Sequence, residues 1–597
     1  MKTRFTFLFL FFLAANALWA QKVPNAQQLK DFDIFINKVI KEWKVPALGI
    51  GIVKGDKIIL AKGYGFRDVS KELSANENTL FAIGSSSKAF TAFSLCQLAD
   101  DGILKMDEPL LTLLPDFRMH DDYATQRMTA RDLLCHNSGL PRHDFTWYGS
   151  ESSREDFYKN LHHLEPSADF RQAFQYQNLM FLTAGYLLER LGGQPWEAFV
   201  QQRIFTPLGM KRANLSVTDM TKDDNHALPY RLQKEQVTAI PFRNIDAVAP
   251  AGAINASAQE MCNWLIAQLN GGKFGDQQLI TEARIAEMHS PHSLVTGAMA
   301  GYMFADNGGA PIAYGLGWFL AAHKNRRAVF HGGNIDGFSA MVGLLPEDKI
   351  GVVVLSNLDG NMLPTIIRNY VFDMMLNEKP RDWNSEILAT RKALKESQKA
   401  ANAATEDGRV ANTNPTHPLG DYVGNYEHPS YGKVAVELKD NQLSASFHGM
   451  DLKLEHFHYD VFQTKSDLLN DYKIQFHTDV NGKIGQLDFP LEAAVKPIVF
   501  ERAANAPNYT TEQLQAFVGK YQISTMVVTI ALRDDKTLTM SVPGQPEYEL
   551  LPFGENEFEL KDLKGFRAVF NKAPEDAVAK ELVMHQPNGI FKTTRLD

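Results

Sequence analysis

Apolar residues recur along this chain at two different periods, and the change of period divides it. Ala47 to Val53 and Ile58 to Ala61 are apolar runs that flank Lys54-Gly55-Asp56-Lys57. Two such runs around a short Gly-containing polar segment predict a β-hairpin. Thr79 to Gly84 is strand-like, and Ala89 to Leu95 opens a helical stretch that reaches Asp100-Asp101-Gly102. Helical runs fill the middle. One begins at Leu179-Met180-Phe181-Leu182 and ends at Leu191-Gly192-Gly193, a normal helix stop. Strands return between about residues 312 and 356, including Ala328 to Phe330 and, after a turn rich in Gly and Asn, Phe338 to Leu344. The pattern predicts an α/β (α+β) unit. One antiparallel sheet gathers the first and last strands, helices flank it, and a helical lobe is inserted between.

The period changes after residue 380. Trp383 to Ala403 is charged and helix-prone, and Ala404 to Pro418 is rich in Asn, Thr and Pro, a linker composition. Beyond it the alternation is strand-like, in two related units. Tyr422-Val423-Gly424-Asn425-Tyr426, then Leu438 to Leu443, is echoed by Phe517-Val518-Gly519-Lys520-Tyr521, then Leu532 to Leu538. Such self-similarity predicts a duplicated, barrel-like all-β unit. The expected organisation is a leader at 1–20, a first domain at 21–380, a helical and disordered linker at 381–418, and β units at 419–505 and 506–597.

Composition narrows the partners. The net charge of −9 argues against nucleic acid. Met1 to Ala20 has Lys2 and Arg4, an apolar run from Phe5 to Ala14 and small residues at Ala15, Ala17 and Ala20. That is the pattern of a cleavable signal peptide, and it places the protein in a bacterial periplasm or outside the cell. No later apolar run is long enough to span a bilayer, so no stable membrane insertion is expected after cleavage. Cys96, Cys135 and Cys262 lack metal-ligand spacing and read as buried thiols. His456 and His458 share a strand face but lack a clear third ligand. No metal and no cofactor are expected.

Candidate chemistry centres on Ser85-Ser86-Ser87-Lys88 at a helix start. Residues three apart share a helix face, so Lys88 comes within reach of the Ser85 hydroxyl. A serine needs a base to become a nucleophile, and a buried neutral lysine can be one. The helix N-terminus favours developing negative charge. A second Ser-x-x-Lys, Ser430 to Lys433, lies between two strand-like runs and reads as accidental. Tyr176-Gln177-Asn178 stands at another helix start, where the Tyr can relay protons and the Asn amide can meet a carbonyl; a core Tyr and an Asn N-cap are the plainer reading. His331-Gly332-Gly333 closes a strand, and its glycines let a substrate approach the backbone. His331 to Asn334 also suggests a lipase oxyanion segment, but the chain has no Gly-x-Ser-x-Gly elbow after it.

Ser-x-x-Lys, Tyr-x-Asn and His-x-Gly, in this order, resemble the serine β-lactamase and penicillin-binding-protein superfamily. The Tyr in the second motif is similar to the class C-like branch, which includes D-aminopeptidases, D-Ala-D-Ala carboxypeptidases and esterases. Leu133 to Pro141, Pro207 to Met210, Pro250 to Ala253, Tyr314 to Trp318 and Val352 to Asn357 resemble it too. The likeness implies Ser85 as nucleophile, with Lys88 and Tyr176 sharing the base and acid work. Asn178 would contact the substrate amide. His331, Gly332, Gly333 and Asn334 would line the substrate site, and the Ser85 and Asn334 backbone N–H groups would form the oxyanion hole. His331 stands where many members have Lys, which implies poor β-lactam turnover. The β units resemble lipocalin-like accessory domains; a structural appendage is the plain reading, and a lid, a substrate gate or an oligomer contact the functional one. The implied function is an exported serine hydrolase that forms an acyl-enzyme with small peptides, D-amino acid peptides among them, or with esters. A β-lactamase and a non-catalytic peptidoglycan- or peptide-binding protein are the alternatives.

Overall fold

In a computed structural model, the described residues are 23–597 apart from 298–309, 407, 467–470, 481, 504–508, 524, 534–535, 562, 564–565, 574–575, 587–588 and 597. Side chains at 395 and 398–406 are also excepted. The expected leader at 1–20 lies outside the described residues. The chain forms two compact units. The first holds residues up to Arg409 together with Pro429–Tyr431 and Leu491–Lys496.

Its centre is a sheet of nine strands. Helix α1 (Ala26–Glu42) leads into β1 (Ala47–Lys54), β2 (Lys57–Asp68) and β3 (Leu73–Ser74). The helical lobe follows and includes α2 (Lys88–Asp100), α3 (Asn178–Gly192) and α4 (Ala258–Leu269). The chain then returns through β4 (Ser293–Val295), β5 (Ile312–Tyr314), β6 (Phe319–His323), β7 (Arg326–Ile335), β8 (Phe338–Leu345) and β9 (Ile350–Ser356). It closes with α5 (Leu363–Met375) and α6 (Trp383–Glu406). The sheet order is β4-β5-β6-β7-β8-β9-β1-β2-β3, so the first strand pairs with the last. All pairings are antiparallel, with Gly51 opposite Val353 and Gly343 opposite Val352.

That register assigns the faces, because neighbours along a strand point to opposite sides. A Cβ on Gly51 would lie 2.6 Å from Cys262 Sγ, and one on Gly343 would lie 2.9 Å from Arg368 Cδ. Hence α4 packs on one face and α5 on the other. Strands β8, β9 and most of β1 are buried on both sides, which is why they read as continuous apolar runs rather than alternations. Cys262 is one such packing residue, and all three cysteines are free and buried.

The second unit contains two closed antiparallel barrels of eight strands each. The first runs from Gly424–His428 to Ile498–Arg502, the second from Gly519–Ile523 to Gly589–Arg595. The repeated pentapeptide does the same work in both. Tyr426 OH donates to Tyr422 O, and Tyr521 OH donates to Phe517 O, each at 2.9 Å. Arg502 Nη2 donates to Val423 O as Arg595 Nη2 does to Val518 O. Phe517, just before the first strand, and inward strand residues such as Tyr521, Phe558 and Phe570 fill the second barrel with an aromatic core. His456 and His458 lie in the first barrel, and no group of three metal-capable side chains occurs among the described residues.

Candidate active site

Ser85 sits on a single 3-10 turn, Gly84–Ser87, and the α-helix α2 begins only at Lys88. The tighter turn still leaves the two side chains in contact, with Lys88 Nζ 3.1 Å from Ser85 Oγ. The turn is pinned on several sides. Ser86 Oγ donates to His331 O, Ser87 Oγ donates to Gly84 O, and Ile254 N donates to Ser87 Oγ. Strand β7 crosses directly against it. A Cβ on Gly333 would fall 1.9 Å from Ile83 O, and one on Gly84, which has φ +50°, would fall 2.8 Å from Asn334 N. Only glycine fits at either place. The crossing brings the Ser85 and Asn334 backbones together at the helix start.

Lys88 is fully buried. Its Nζ has three acceptors, all uncharged: Ser85 Oγ, Asn178 Oδ1 at 2.7 Å and Ala251 O at 2.8 Å. Burial, and then the Arg142 charge, push its pKa well below the ordinary lysine value, with Asp144 offsetting part of this. A neutral amine has two N–H bonds and one lone pair. In that neutral form, with its N–H groups on Asn178 and Ala251, the lone pair would face Ser85 Oγ. This geometry can take the serine proton.

Tyr176 is the other proton-bearing group. Its ring centre is 4.8 Å from Lys88 Nζ, and burial raises its pKa, so the phenol keeps its proton. The segment is stapled to the loop that starts at His136: Gln177 N donates to His136 Nδ1, and Gln177 Nε2 donates to Pro141 O. Gln177, rather than Asn178, caps α3 through the Leu179 N–H. That releases the Asn178 amide to face Lys88 and Asp144.

His331 is buried, and both its nitrogens meet protein groups. Nδ1 donates to Gly332 O at 2.6 Å, a carbonyl that can only accept, so Nε2 accepts from Tyr314 OH at 2.9 Å. Burial, then Lys88, lower its pKa to about 3. The ring is therefore a neutral wall of the site. Asn334 is exposed, and its Oδ1 accepts from Ser339 Oγ.

Two cavities meet at Ser85. The larger, about 460 Å³, is walled by Phe319, Phe330, His331, Met341 and Met362 and holds Tyr176, Gly332 and Asn334 on its lining. The smaller, about 240 Å³, is more polar, with Asp144, Tyr148, Asn178, Asp336 and Asp359. Arg142 lines both, and its guanidinium lies 5.0 Å from the Tyr176 ring centre. Gly333 lines neither cavity; it is buried against the Ser85 turn. The structure thus brings Ser85, Lys88, Tyr176, Asn178, His331, Gly332 and Asn334 to one cleft. Arg142, Asp144, Ala251 and Tyr314 belong to it as well, and no sequence pattern had marked their roles. Three of them lie within or just after segments already noted for their likeness, which was the available signal.

The chain is similar to known proteins. The Beta-lactamase family model matches residues 34–371, and a domain of unknown function (DUF3471) matches 408–502. The chain is 29% identical over 427 residues to unguisins hydrolase ungD' of Aspergillus campestris, covering 68% of this chain and 77% of that protein. It is 26% identical over 354 residues to protein flp of Staphylococcus aureus, covering 58% of this chain and 66% of flp. Among solved structures it resembles the octameric penicillin-binding protein homologue from Pyrococcus abyssi. The TM-score is 0.54 at 21% identity, over 79% of this chain and 100% of the other.

Proposed function

This chain belongs to the Beta-lactamase family, and on that premise we propose that it is a serine hydrolase acting through an acyl-enzyme at Ser85. The observation that carries this is the Lys88 amine, fully buried among uncharged groups with its Nζ 3.1 Å from Ser85 Oγ. Lys88 takes the Oγ proton as Oγ attacks the substrate carbonyl. The developing oxyanion turns to the backbone N–H groups of Ser85 and Asn334. Tyr176, a protonated phenol, gives a proton to the leaving amine or alkoxide and regains one through Lys88. Water then attacks the ester at Ser85, its proton passing to the same base, and the acid product leaves with Oγ reprotonated.

The substrates are small peptides, those with D-residues included, or esters. Asn178 offers its amide to the substrate, and the apolar wall of the larger cavity takes a side chain. His331 shapes that wall as a neutral ring, so it supplies no cation for a β-lactam carboxylate, and efficient β-lactam turnover is not expected. The composition of Met1 to Ala20 supports export. Among the described residues no helix is long and apolar enough to cross a membrane. The octameric state named for the Pyrococcus abyssi neighbour supports self-association of this chain, which sedimentation would test.

The deciding experiment is intact-mass analysis after a fluorophosphonate and after a fluorescent penicillin, with Ser85→Ala beside the wild type. One adduct on the wild type, mapped to Ser85 and absent from the variant, supports the reading. Equal labelling or equal ester turnover by Ser85→Ala would sink it.

A further inference from the structure

Asp144, on the loop that follows Pro141, touches neither Ser85 nor Lys88, yet it holds the group that does. Its Oδ1 accepts from Asn178 Nδ2 at 2.9 Å and from Trp147 Nε1 at 3.0 Å. Its Oδ2 accepts from Arg142 Nε at 2.6 Å. The other end of the Asn178 amide, Oδ1, accepts from Lys88 Nζ at 2.7 Å. An Asn amide has one donor end and one acceptor end, whereas an ionised carboxylate only accepts. Asp144 therefore decides which end of Asn178 faces the base. Turned over, the amide would set its NH2 against the Lys88 amine, donor to donor. A neutral Lys88 would then lose one of the two acceptors that keep its lone pair on Ser85 Oγ.

We propose that Asp144 is a positioning residue for acyl transfer: it fixes the Asn178 amide so that Asn178 Oδ1 aims Lys88 at Ser85, and its charge balances Arg142 beside the base. This rests on the serine-hydrolase reading above. The loop that carries Asp144 is itself held. His143 has φ +46°, a strained conformation for a residue with a side chain. It is nearly fully buried, with Nδ1 2.6 Å from Tyr431 OH, Nε2 2.9 Å from Glu165 O and its backbone N–H on Glu492 Oε2. A strained, anchored residue between Arg142 and Asp144 gives both side chains a fixed origin.

Most groups around Lys88 are uncharged. His136 and His331 face it as neutral rings, both kept so chiefly by burial, and Tyr176 as a neutral phenol. Ser85, Asn178 and Ala251 bring only uncharged groups. Arg142 and Asp144 are thus the charged pair near the base. Asp336 and Asp359 also line the smaller cavity, but Asp336 pairs with Arg243 and Asp359 with Arg231. Removing the Asp144 charge leaves Glu492 as the carboxylate that still offsets Arg142 and disfavours protonated Lys88 further. The acid limb of the rate profile, where Lys88 must lose its proton, then moves to lower pH. Removing the acceptor oxygen as well lets the amide turn and lowers the plateau rate.

The test is the rate of Ser85 labelling by a neutral fluorophosphonate as a function of pH, with full-length wild type, Asp144→Asn, Asp144→Ala, Asn178→Ala and the Asp144→Ala/Asn178→Ala double variant. Asp144→Asn keeps an oxygen for Asn178 but no charge. Its acid limb should shift down by about half a pH unit or more, with a plateau between those of wild type and Asp144→Ala. Asp144→Ala should lose about ten- to a hundredfold at the plateau, the scale of a misaligned reacting group. In the Asn178→Ala background that plateau loss should vanish, because the two residues act as one unit. An unlabelled Ser85 in the wild type would overturn this proposal along with the reading it rests on. A labelled wild type, with Asp144 variants that keep its plateau and limb or whose losses add fully to that of Asn178→Ala, would overturn the Asp144 role alone. If Asp144→Ala does not fold, the limb of Asp144→Asn decides.

Discussion

Replacing Lys88 by Met should separate the base from everything else at Ser85. Met is close in length and apolar, so it fits the buried channel, but it cannot accept a proton. General-base help is worth about a hundred- to ten-thousandfold, which at 1.36 kcal/mol per tenfold is about 2.7–5.4 kcal/mol of barrier. Structural damage has its own scale. Met leaves Asn178 Oδ1 and Ala251 O without the Lys88 donor, each costing about 1–3 kcal/mol of stability. The sign of the pH effect follows from the lowered Lys88 pKa. Below that value Lys88 is protonated and wild-type labelling falls tenfold per pH unit; above it the rate is flat. Stability moves the same way. The unfolded chain binds this proton more readily than the folded one, so the Lys88 contribution to stability rises with pH toward the ordinary lysine range of about 10.4. Lys88→Met should therefore lose the plateau rate, the acid limb and that rise together. Stopped-flow or gel-based fluorophosphonate labelling from pH 5 to 9, with thermal melts at each pH, measures all three. A Lys88→Met protein that labels at the wild-type rate, or that keeps the wild-type limb, would refute the assignment of the base.

Gly333→Ala should abolish labelling and cost at least about 1–3 kcal/mol, because its Cβ would strike Ile83 O and crowd Ser85 N; Gly420→Ala, with open space around it, is the control, and equal melts would refute the crossing. Tyr176→Phe should slow acylation by about a hundredfold or more for poor leaving groups and less for activated esters, so a uniform loss in a leaving-group series would deny it the acid role. His331, with a pKa lowered to about 3 by burial and by Lys88, is neutral from pH 5 to 8, so the preference between anionic and neutral substrates should be flat there as far as His331 sets it; a histidine NMR signal from His331 titrating near 6.5 would overturn this. Asp373 is buried, which alone would raise its pKa, but bonds from His323 and Lys324 carry it down to about 2. Its stabilisation is complete above about 3.9 and lost as pH falls toward 2, and Asp373→Asn should cost about 3–5 kcal/mol in urea melts at pH 7, a value inside 1 kcal/mol being the failure.

Much of this was legible along the chain because the informative distances are short in sequence. Ser85 and Lys88 are three apart, and Tyr176 and Asn178 two apart, at helix starts whose apolar runs announce them. The two-sided burial of β1, β8 and β9 wrote itself as unbroken Val, Ile and Leu. The barrels showed as a repeated pentapeptide because its Tyr makes the same bond in each, from Tyr426 to Tyr422 O and from Tyr521 to Phe517 O. What stayed hidden depends on pairing across long gaps. Nothing in a loop's period tells that Asp144 will meet Asn178, 34 residues on, or that the Ala251 carbonyl will meet Lys88 across 163. A helix start at Ser85 does not tell a 3-10 turn from an α-helix, since both keep residues three apart close together.

The hidden residues matter to the chemistry as much as the visible ones. Ser-x-x-Lys supplies a serine and a lysine, but a lysine in water is an ammonium and no base. Three things favour its neutral form here and support the proposed role of Lys88 as base. The Ala251 carbonyl and the Asn178 amide, both uncharged, use two of its bonds. Burial removes the water that would stabilise its charge. Arg142 is set close enough to penalise that charge further, while Asp144 tempers it. The decoy at Ser430 makes the contrast. It has the same spacing, yet Lys433 lies on an exposed strand position and Ser430 Oγ is spent on the Asn160 carbonyl. Spacing sets which atoms can meet. The environment, assembled from residues far apart in the chain, sets whether their meeting can move a proton.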